Sequence, residues 1–512
     1  YSNLKDLGLM SKKEKNIVLT PHQQKAFDKI VDFIRSKDAK VFILKGYAGT
    51  GKTTMMKCLI EELSKRNESF QLLASTGRAA KILSNISGYE AKTIHSFIYR
   101  FSDFNQDIEE YLNKEKEEVD IFGQLIINFD AVKVSDDDIS EVYYLVDESS
   151  MVADKENTSE QQARFGSGKL LSDLLDYNPN GKFIFIGDAC QLPPVTQTIS
   201  PALSKSYLSE FFSIEADEIE LTEVIRQDKG NDIVRSAEKV RKLYFNPPLV
   251  KWAKFPLKNY KNIHILNSTA ELYSAYIDRT KNVGYDNSTL ICYSNKQCCD
   301  LTKFLRPAFG INIPTLSKGD LLLVTQNNLI SGLLNGDLVV VESVGRREHR
   351  AGLTFLNVEV KELHSEKVYS QYLIEEILYT NGTNLSQEQQ KSLFIDYYNR
   401  VKEKLEARTI KQNSAGQQNP NEEDEKKKKG SIQRSAEFRD GLQKDPYLNA
   451  LRAVYGFALT CHKAQGGEWD YVYLDIPRYF SNQAKPYVYQ WIYTAMTRAK
   501  KELYLVDDFW VI

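Results

Sequence analysis

The sequence lacks any apolar run of the roughly 20 residues that a membrane-spanning helix requires, and we therefore expect no membrane partner. It has only 6 cysteines, none at the spacing of a zinc site or a short disulfide framework, which favours a reducing cytoplasm. Residues 1–5 contain no apolar stretch, and we expect no signal peptide there. The formal net charge is only −2, so a nucleic-acid partner would need a local basic groove.

The chain has 512 residues, which is too long for one ordinary hydrophobic core. A chain of this length is expected to fold into roughly three or four domains. Its hydrophobic content of 42% is typical of a globular protein, so each domain can bury a core of its own.

A complete phosphate-binding loop of the form G-x-x-x-x-G-K-[ST] spans residues 46–53. The apolar run 41–44 before it predicts a buried strand, and residues 54–66 after it predict a helix. Strand, glycine loop and helix in this order are the context in which the motif binds phosphate. Lys52 would reach the β- and γ-phosphates, and the Thr53 hydroxyl would bind Mg²⁺. The pattern predicts a bound nucleotide, but not the task that the nucleotide serves.

Two acidic residues, Asp147 and Glu148, follow the apolar strand predicted at 143–146. Downstream of a phosphate loop, an Asp at a strand end can hold Mg²⁺ while the adjacent Glu polarises a water for attack on the γ-phosphate. Gln191 follows another predicted strand, 183–186, where its side chain could sense the γ-phosphate. These residues favour hydrolysis of the nucleotide over binding alone.

Polar turns follow other strands of the same lobe. Residues 75–81 follow the strand 72–74 and carry hydroxyl and basic groups that suit a phosphodiester backbone, although an ordinary capped helix explains them equally well. Residues 93–97 form a second polar turn with an aromatic side chain, Phe97. Upstream, Gln23 lies in a helix capped by Thr20 and could read an adenine edge. Taken alone, Gln23 is more simply explained as a surface glutamine.

A second series of alternating strands and helices starts at 288 and, after an interruption, resumes at 453. It has no phosphate loop of its own, but it contains Arg498 at a helix terminus. An arginine supplied from across a cleft stabilises a transferring phosphoryl group and makes closure of the cleft depend on the γ-phosphate. The two series therefore predict a nucleotide-gated clamp between two lobes, which is the design of a molecular motor.

Three stretches interrupt this alternation. Residues 98–141 mix aromatic and charged residues and predict an insertion, either a wedge beside nucleic acid or a solvated helical excursion. Short strands near 340–375, after a hairpin signal at Asn335-Gly336, predict a small barrel-like module. Residues 412–430 are poor in apolar residues and predict a mobile loop, whose lysine run favours solvation over nucleic-acid contact.

Taken in order, these motifs resemble those of the superfamily 1 DNA helicases, over residues 17–227 and 288–512 apart from the insertions. The stretches 147–151 and 462–466 are most similar to the RecD/Dda branch, with the Pif family as a near neighbour. The matching motifs are Gln23, 46–53, 76–78, 93–95, Asp147-Glu148, Gly187-Asp188 with Gln191, Arg226, 460–470 and 494–498.

The resemblance implies an α/β fold with two RecA-like parallel-sheet motor lobes and inserted accessory domains, one of them a small SH3-like β barrel. The first lobe would comprise 1–97 and 142–227, with the possible wedge at 98–141. The second lobe would comprise 228–339 and 450–512, with the SH3-like module and its mobile charged excursion at 340–449.

The resemblance also implies an ATP-dependent helicase with Mg²⁺ that moves 5′ to 3′ on single-stranded DNA and unwinds forked duplex DNA. Such a protein is expected to act as a monomer in a bacterial or phage-like cytoplasm, or wherever DNA is processed. A translocase that does not unwind, or a nucleotide-gated scaffold with negligible turnover, remains open as an alternative.

Residue roles are carried over at the matching positions. Catalysis would involve Lys52, Asp147, Glu148 as the base, Gln191, Arg226 and Arg498. The nucleotide would contact Gln23, Gly46, Ala48, Gly49, Thr50, Gly51, Lys52, Thr53, Thr54 and Glu468, and Mg²⁺ would contact Thr53 and Asp147. A single-strand track would comprise Thr76, Arg78, Thr93, His95, Phe97, Asn295, Lys296, Thr460, His462 and Lys463.

Overall fold

The computed structural model describes residues 18–104, 127–135, 139–155, 163–195, 197–224, 231–380, 382–414, 436–506 and 509–512. Its strands are β1 (Val41–Gly46), β2 (Phe70–Ala74), β3 (Ala91–Thr93), β4 (Tyr99–Phe104), β5 (Ile127–Ala131), β6 (Val142–Asp147), β7 (Ala163–Phe165), β8 (Gly181–Gly187), β9 (Asp217–Leu221), β10 (Ile263–Leu266), β11 (Ser288–Cys292), β12 (Leu321–Val324), β13 (Leu338–Arg350), β14 (Leu353–Glu362), β15 (Val368–Ile374), β16 (Ala453–Tyr455), β17 (Leu459–Thr460), β18 (Trp469–Asp475) and β19 (Ala499–Val506).

The α-helices are α1 (Pro21–Arg35), α2 (Lys52–Lys65), α3 (Gly77–Ser87), α4 (Ile94–Ile98), α5 (Leu170–Leu175), α6 (Lys205–Phe212), α7 (Asp232–Phe245), α8 (Thr269–Val283), α9 (Asn295–Ala308), α10 (Gln387–Ser414), α11 (Ala436–Lys444), α12 (Cys461–Ala464) and α13 (Lys485–Met496). Short 3₁₀ helices span Ser149–Met151, Pro201–Leu203, Glu375–Tyr379 and Arg478–Asn482.

The first lobe is built on a six-stranded parallel sheet in the order β3-β2-β6-β8-β1-β9. Its central strands are continuously apolar because both faces are covered: Val41 and Ile43 pack on the side of α5, and Phe42 and Leu44 on the side of α1 and α2. The carboxyl ends of these strands lie along one edge, where open parallel sheets bind ligands. The phosphate loop follows β1 at that edge.

The second lobe is built on a five-stranded parallel sheet in the order β10-β19-β18-β11-β17. Helix α13 packs at its centre, and every residue from 488 to 496 is buried. A helix that is buried all round has neighbours on every side, and part of this helix contacts the first lobe. Two helix-flanked parallel sheets make the protein an α/β fold, as predicted, and the arrangement is consistent with RecA-like motor lobes.

An antiparallel sheet in the order β15-β14-β13-β12-β16 is inserted in the second lobe. Its strand pairing gives the insertion wider limits than 340–449, because β12 and β16 pair within this sheet and not with the parallel one. A short buried strand has the same apolar sequence pattern in a parallel and in an antiparallel sheet. The sequence alone therefore did not show to which sheet β12 and β16 belong. Helices α10 and α11 pack beside the sheet around Leu393, Tyr397 and Phe438.

Part of the predicted insertion 98–141 is a sheet and not a helix. Strands β4 and β5 pair antiparallel, and β7 extends the sheet beyond residue 141. Residues 105–126 and 136–138 lie outside the described residues, as do 415–435, which contain most of the predicted mobile loop. Within the described ranges, no helix combines the length and apolar content needed to cross a membrane.

Candidate active site

The phosphate loop leaves the end of β1 and enters the N-terminus of α2. Gly49 and Gly51 have φ angles of 80° and 88°, in the left-handed region that favours glycine. A Cβ on Gly46 would lie 2.9 Å from Lys52 Cγ, which is too close for any larger residue. The first N–H groups of a helix have no intrahelical acceptor, and such N-termini bind phosphate. The predicted loop therefore has the backbone form that phosphate binding requires.

Side chains of the loop are held by its own carbonyl groups. Lys52 Nζ donates hydrogen bonds to the backbone oxygens of Gly46 at 2.8 Å and Tyr47 at 3.1 Å. The buried Thr50 hydroxyl also donates to the Tyr47 oxygen, at 2.8 Å. The Thr53 side chain is exposed and Thr54 is half-buried. Lys52 is thus positioned over the loop, and the Thr53 hydroxyl is accessible to a ligand.

Gln23 is buried against the loop and is not a surface glutamine. It is 2% exposed, its Nε2 donates to the Thr50 backbone oxygen at 3.3 Å, and its Oε1 accepts the Thr20 N–H at 3.1 Å. This pairing also completes the capping box of α1. Glu468, in contrast, is exposed just before β18. Contact of Gln23 with adenine and of Glu468 with ribose stays a prediction.

Asp147 ends β6 and Glu148 follows it, close to Lys52 of the loop. Burial and the neighbouring Glu148 carboxylate raise the pKa of Asp147, while the Glu148 N–H and the Lys52 ammonium lower it. The Glu148 N–H donates to Asp147 Oδ1 at 2.9 Å. Glu148 itself has a φ of 49°, a left-handed conformation that glutamate rarely adopts and that is typical of functional sites. The structure therefore brings both acids together with Lys52.

The oxygen groups at this point fit a magnesium ion. A hydroxyl from Thr53 and a carboxylate from Asp147 are the hard oxygen ligands that Mg²⁺ prefers. In the described part of the chain, no three His, Cys, Asp or Glu side chains cluster as a complete metal cage. An ion bound here would take its other ligands from phosphate and water, as Mg²⁺ commonly does.

Asp188 and Gln191 follow β8, beside the acids. They are 1% and 3% exposed. Burial raises the pKa of Asp188, whereas Lys52 and a hydrogen bond from Tyr493 lower it. Gln191 Oε1 is buried and has no hydrogen-bond partner among the described residues. A buried amide oxygen without a partner is costly, so this position fits a ligand or a water that satisfies it.

Side chains of the second lobe contact this segment directly. Tyr493 donates to Asp188 Oδ2 at 2.6 Å and accepts the Ala48 N–H at 3.3 Å. Thr494 Oγ1 accepts the Leu192 N–H at 2.9 Å. Gln490 and Gln465 donate to the backbone oxygens of Gln191 at 3.4 Å and Leu192 at 3.1 Å, respectively. The phosphate loop and the 188–192 segment of the first lobe therefore lie at its contact with the second lobe.

Arg498 is buried in the second lobe, at the end of α13. The residue is 4% exposed, and its guanidinium donates to the oxygens of Thr494 (3.1 Å), Gly467 (3.3 Å) and Thr497 (3.2 Å). It lowers the pKa of Asp188, so the two groups are electrostatically close. Arg226, the other arginine predicted to contact the γ-phosphate, lies outside the described residues.

Most residues of the predicted single-strand track lie at the carboxyl ends of parallel strands. Thr76, Thr93 and Thr460 cap α3, α4 and α12, and each side chain accepts a backbone N–H. His95, Asn295 and Lys296 are exposed, and His462 and Lys463 are half-buried, with their pKa values lowered by burial. Phe97 packs on Tyr144 and Tyr177 in the core of the first lobe. Its packing accounts for Phe97 without a DNA contact.

Arg78 differs most from its predicted position. The residue is 5% exposed, and its guanidinium lies 4.3 Å from the centre of the Trp469 ring with Nη2 3.4 Å from His364 Nε2. Burial lowers the pKa of Arg78 to about 10. Its neighbour Gly77 is required by packing, since a Cβ there would lie 2.3 Å from the Leu334 Cβ. Arg78 therefore fills a junction between the first lobe, the second lobe and the inserted sheet.

Lys81, one turn further along α3, strengthens the same junction. It forms ion pairs with Asp337 and, at 2.8 Å, with Glu362 of the inserted sheet. The sequence placed Lys81 among basic groups suited to a phosphodiester backbone, and it gave no role to Tyr493 or Gln490. The available signal for the last two was weak: a polar Gln and a Tyr one turn apart in an otherwise apolar helix before Arg498.

Two family models match the chain, one mainly in the first lobe and one in the second. Residues 18–243 match the family model of an AAA domain, and residues 455–506 match that of a UvrD-like helicase C-terminal domain. The chain is 32% identical over 212 residues to the ATP-dependent DNA helicase Dda of Enterobacteria phage T4, covering 41% of this chain and 40% of that protein. It is 26% identical over 199 residues to the ATP-dependent RecD2 DNA helicase of Deinococcus radiodurans, covering 39% and 21%.

An uncharacterized protein of Methanocaldococcus jannaschii is 25% identical over 483 residues, covering 92% of this chain and 37% of that protein. The chain thus spans less than half the length of these relatives. Among solved structures, a Bacteroides Pif1 helicase in complex with ADP-AlF3 and ssDNA matches with a TM-score of 0.45 and 17% identity, over 96% of this chain and 93% of that one. Pif1 helicase from Candida albicans matches with a TM-score of 0.39 and 13% identity, over 96% of both chains.

Because its phosphate loop lies at the junction of two parallel-sheet lobes, the protein belongs to the class of two-lobed P-loop proteins. The two family models and the matches to Dda and RecD2 support a protein similar to the RecD/Dda-like superfamily 1 helicases. The resemblance stated from the sequence is confirmed at this level.

Proposed function

We propose that the protein is an ATP-dependent DNA helicase that moves on single-stranded DNA and separates a forked duplex. The observation that supports this best is the lobe junction, where Tyr493 contacts both the phosphate loop and Asp188. A nucleotide bound at the loop would lie between two bodies and could control their separation. The matches to Dda and RecD2, both named DNA helicases, support the same activity.

The site chemistry divides among a few groups. Lys52 and the loop N–H groups would hold the phosphates, and Thr53 with Asp147 would hold Mg²⁺, which neutralises phosphate charge when bound. Glu148 would accept the proton of the attacking water. The unpartnered oxygen of Gln191 would orient that water.

The two arginines would stabilise negative charge that develops during hydrolysis. Arg226 is predicted to contact the γ-phosphate from the first lobe. Arg498 would have to exchange its contacts with Gly467 and Thr497 for the phosphate. Lobe closure would thus be linked to hydrolysis through a change of partners at Arg498.

DNA would be bound along the carboxyl ends of the strands, at Thr76, Thr93 and Thr460 and at the exposed residues His95, Asn295 and Lys296. His462 and Lys463 would add contacts in the second lobe. Phosphate contacts of this kind weaken as salt concentration rises. We propose movement from 5′ to 3′ because the motifs resemble that branch of superfamily 1.

We assign accessory roles to the two additional sheets. The antiparallel sheet of β12 to β16 would be the SH3-like module, with limits set by its strand pairing. The sheet of β4, β5 and β7 would be the base of a wedge at the fork. The protein would act as a monomer, wherever DNA is processed.

Unwinding assays on forked substrates test this proposal. Substrates carry a 5′ or a 3′ tail, made of DNA or RNA, and are incubated with and without ATP. We expect strand release only with ATP and a 5′ DNA tail. The control variant Glu148→Gln should bind ATP but lose turnover by about 10²- to 10⁴-fold, because it cannot accept a proton. Hydrolysis stimulated by single strands without strand release would favour a translocase, and absence of turnover would favour a scaffold.

A further inference from the structure

Three polar side chains of α13 lie on one face of an otherwise apolar helix. Gln490, Tyr493 and Thr494 have the i, i+3, i+4 spacing that aligns residues on a helix surface. All three bond the 188–192 segment of the first lobe. This face of α13 is therefore the part of the second lobe that is bonded to the γ-phosphate side of the predicted site.

Tyr493 differs from the other two because it also reaches the phosphate loop. Its hydroxyl accepts the Ala48 N–H at 3.3 Å while donating to Asp188 Oδ2 at 2.6 Å. Tyr493 is 2% exposed and Asp188 is 1% exposed, so the bond between them is shielded from water, whereas the bond to the Ala48 N–H is partly buried. A buried hydrogen bond to a carboxylate is strong, and loss of the Tyr493 hydroxyl would leave Asp188 Oδ2 without this donor at a high cost.

These contacts connect the phosphate loop, Asp188 and helix α13 of the second lobe, which would move relative to one another if the lobes opened. Ala48 belongs to the loop that would hold the phosphates, and Asp188 is electrostatically linked to both Lys52 and Arg498. The hydroxyl of Tyr493 contributes both bonds only when the second lobe is seated on the loop. Opening the lobes would release the Ala48 N–H and Asp188 at the same moment.

We propose that Tyr493 is a positioning residue whose hydroxyl couples lobe closure to the phosphate loop and Asp188, so that nucleotide and single-stranded DNA affect each other's binding. This inference rests on the proposed function, since it assumes that both ligands bind. It adds a residue of the second lobe that would act on the phosphate site through Ala48 and Asp188. Coupling between two sites is a reciprocal free energy and can be measured without strand separation.

The test compares Tyr493→Phe with a matched control, Tyr489→Phe, in the full chain. Tyr489 lies one turn earlier on α13, is equally buried and packs on Phe255 within the second lobe. Fluorescent ADP and a fluorescent non-hydrolysable ATP analogue are titrated with and without oligothymidylate. ATP hydrolysis gives kcat and KM.

In the parent and in Tyr489→Phe, we expect oligothymidylate to tighten binding of the ATP analogue by about tenfold. In Tyr493→Phe, this factor should fall to about one while the affinity for ADP changes less than about twofold. DNA-stimulated kcat should fall about tenfold, and KM for ATP measured with oligothymidylate should rise by up to the lost coupling factor of about ten, because DNA no longer tightens ATP binding. Asp188→Asn should remove the same coupling, and the double variant should be no worse than either single variant.

Full coupling in Tyr493→Phe would overturn the inference, and so would an equal loss in Tyr489→Phe, which would assign the effect to helix packing. Additive losses in the double variant would also overturn it. A parent that couples the two ligands but does not unwind would contradict the helicase proposal alone, and loss of the coupling in Tyr493→Phe would still support the role of Tyr493.

Discussion

The Ser75 hydroxyl donates a hydrogen bond of 3.0 Å to the backbone oxygen of Glu148, the proposed catalytic base. Ser75 ends the turn after β2 and precedes Thr76, which caps α3 on the proposed single-strand track. Glu148 has a φ of 49°, and such backbone strain persists only where the surroundings hold it. One hydrogen bond therefore joins the track to the strained backbone of the base.

Ser75→Ala removes this bond and should uncouple DNA binding from hydrolysis. We expect DNA-stimulated kcat to fall about fivefold, which corresponds to about 1 kcal/mol for one hydrogen bond. Turnover without DNA should change much less. The control is Ser87→Ala in α3, whose hydroxyl bonds the Leu83 oxygen of the same helix. ATPase assays with and without oligothymidylate measure both variants, and undiminished stimulation in Ser75→Ala would contradict the link.

Arg78→Ala distinguishes a lobe junction from a DNA contact. Because Arg78 is buried over Trp469, the variant should lose about 2 kcal/mol of stability from the cation–π contact. Its affinity for single-stranded DNA should depend on salt concentration as steeply as that of the parent protein. A phosphate contact would instead lower the slope of log affinity against log salt by about 0.7.

The exposed Lys296 supplies the control for this measurement. Lys296→Ala should reduce the salt slope by about 0.7, since we propose that its ammonium neutralises one phosphate of the strand. Fluorescence anisotropy of labelled oligothymidylate over a series of salt concentrations gives both slopes. If Arg78→Ala shows the larger decrease, the original assignment of Arg78 to the track is correct.

Arg306 and Asp320 form a buried ion pair that ties α9 to the start of the inserted sheet. The guanidinium donates to Asp320 Oδ1 at 2.7 Å and Oδ2 at 2.8 Å, and Asp320 is fully buried. Arg306→Met leaves that carboxylate buried without its cation, at a cost of about 3–5 kcal/mol. Thermal melting should show a transition lowered by about 10 °C.

The exposed pair between Lys303 and Asp300, on the same helix, gives the comparison. Lys303→Met should change stability by less than about 1 kcal/mol, because solvent screens that pair. Adding Asp320→Asn to Arg306→Met should recover part of the loss, since it removes the unpaired charge. A melting temperature for Arg306→Met equal to that of Lys303→Met would show that the buried pair contributes little.

Strands, helices and helix caps that depend on neighbouring residues in the chain could be predicted from the sequence. The apolar run 41–44 forms β1, and Thr20 with Gln23 forms the capping box that starts α1. Such features depend on periodicity and on contacts within one helical turn. The alternation of strands and helices likewise gave the α/β class.

Contacts between distant segments could not be predicted in the same way. Tyr493 and Ala48 are 445 residues apart, and Arg78 and His364 are 286 apart. A basic residue after a strand has the same pattern whether it meets a phosphate or another part of the protein. The burial of Arg78 depends on how the inserted sheet docks, which neither spacing nor composition encodes.

The raised pKa of Asp147 leads to a prediction of how Mg²⁺ binding depends on pH. Burial and the Glu148 carboxylate raise the pKa of Asp147, so without metal it retains a proton at higher pH than an ordinary Asp. Mg²⁺ bound at the proposed site would need the ionised carboxylate and would have to displace that proton. Apparent Mg²⁺ affinity should therefore fall as pH drops below the raised pKa, by about tenfold per pH unit, and protons should be released on binding.

Calorimetry of Mg²⁺ binding with an ATP analogue, in two buffers with different heats of ionisation, measures the released protons. The control is Asp147→Asn, since protons released by the nucleotide itself are common to both proteins. We expect the parent to release more protons than the variant below neutral pH, and the difference to disappear as pH rises through the raised pKa. Equal release at every pH would mean that Asp147 is already ionised before the metal binds, and that another group sets the pH dependence.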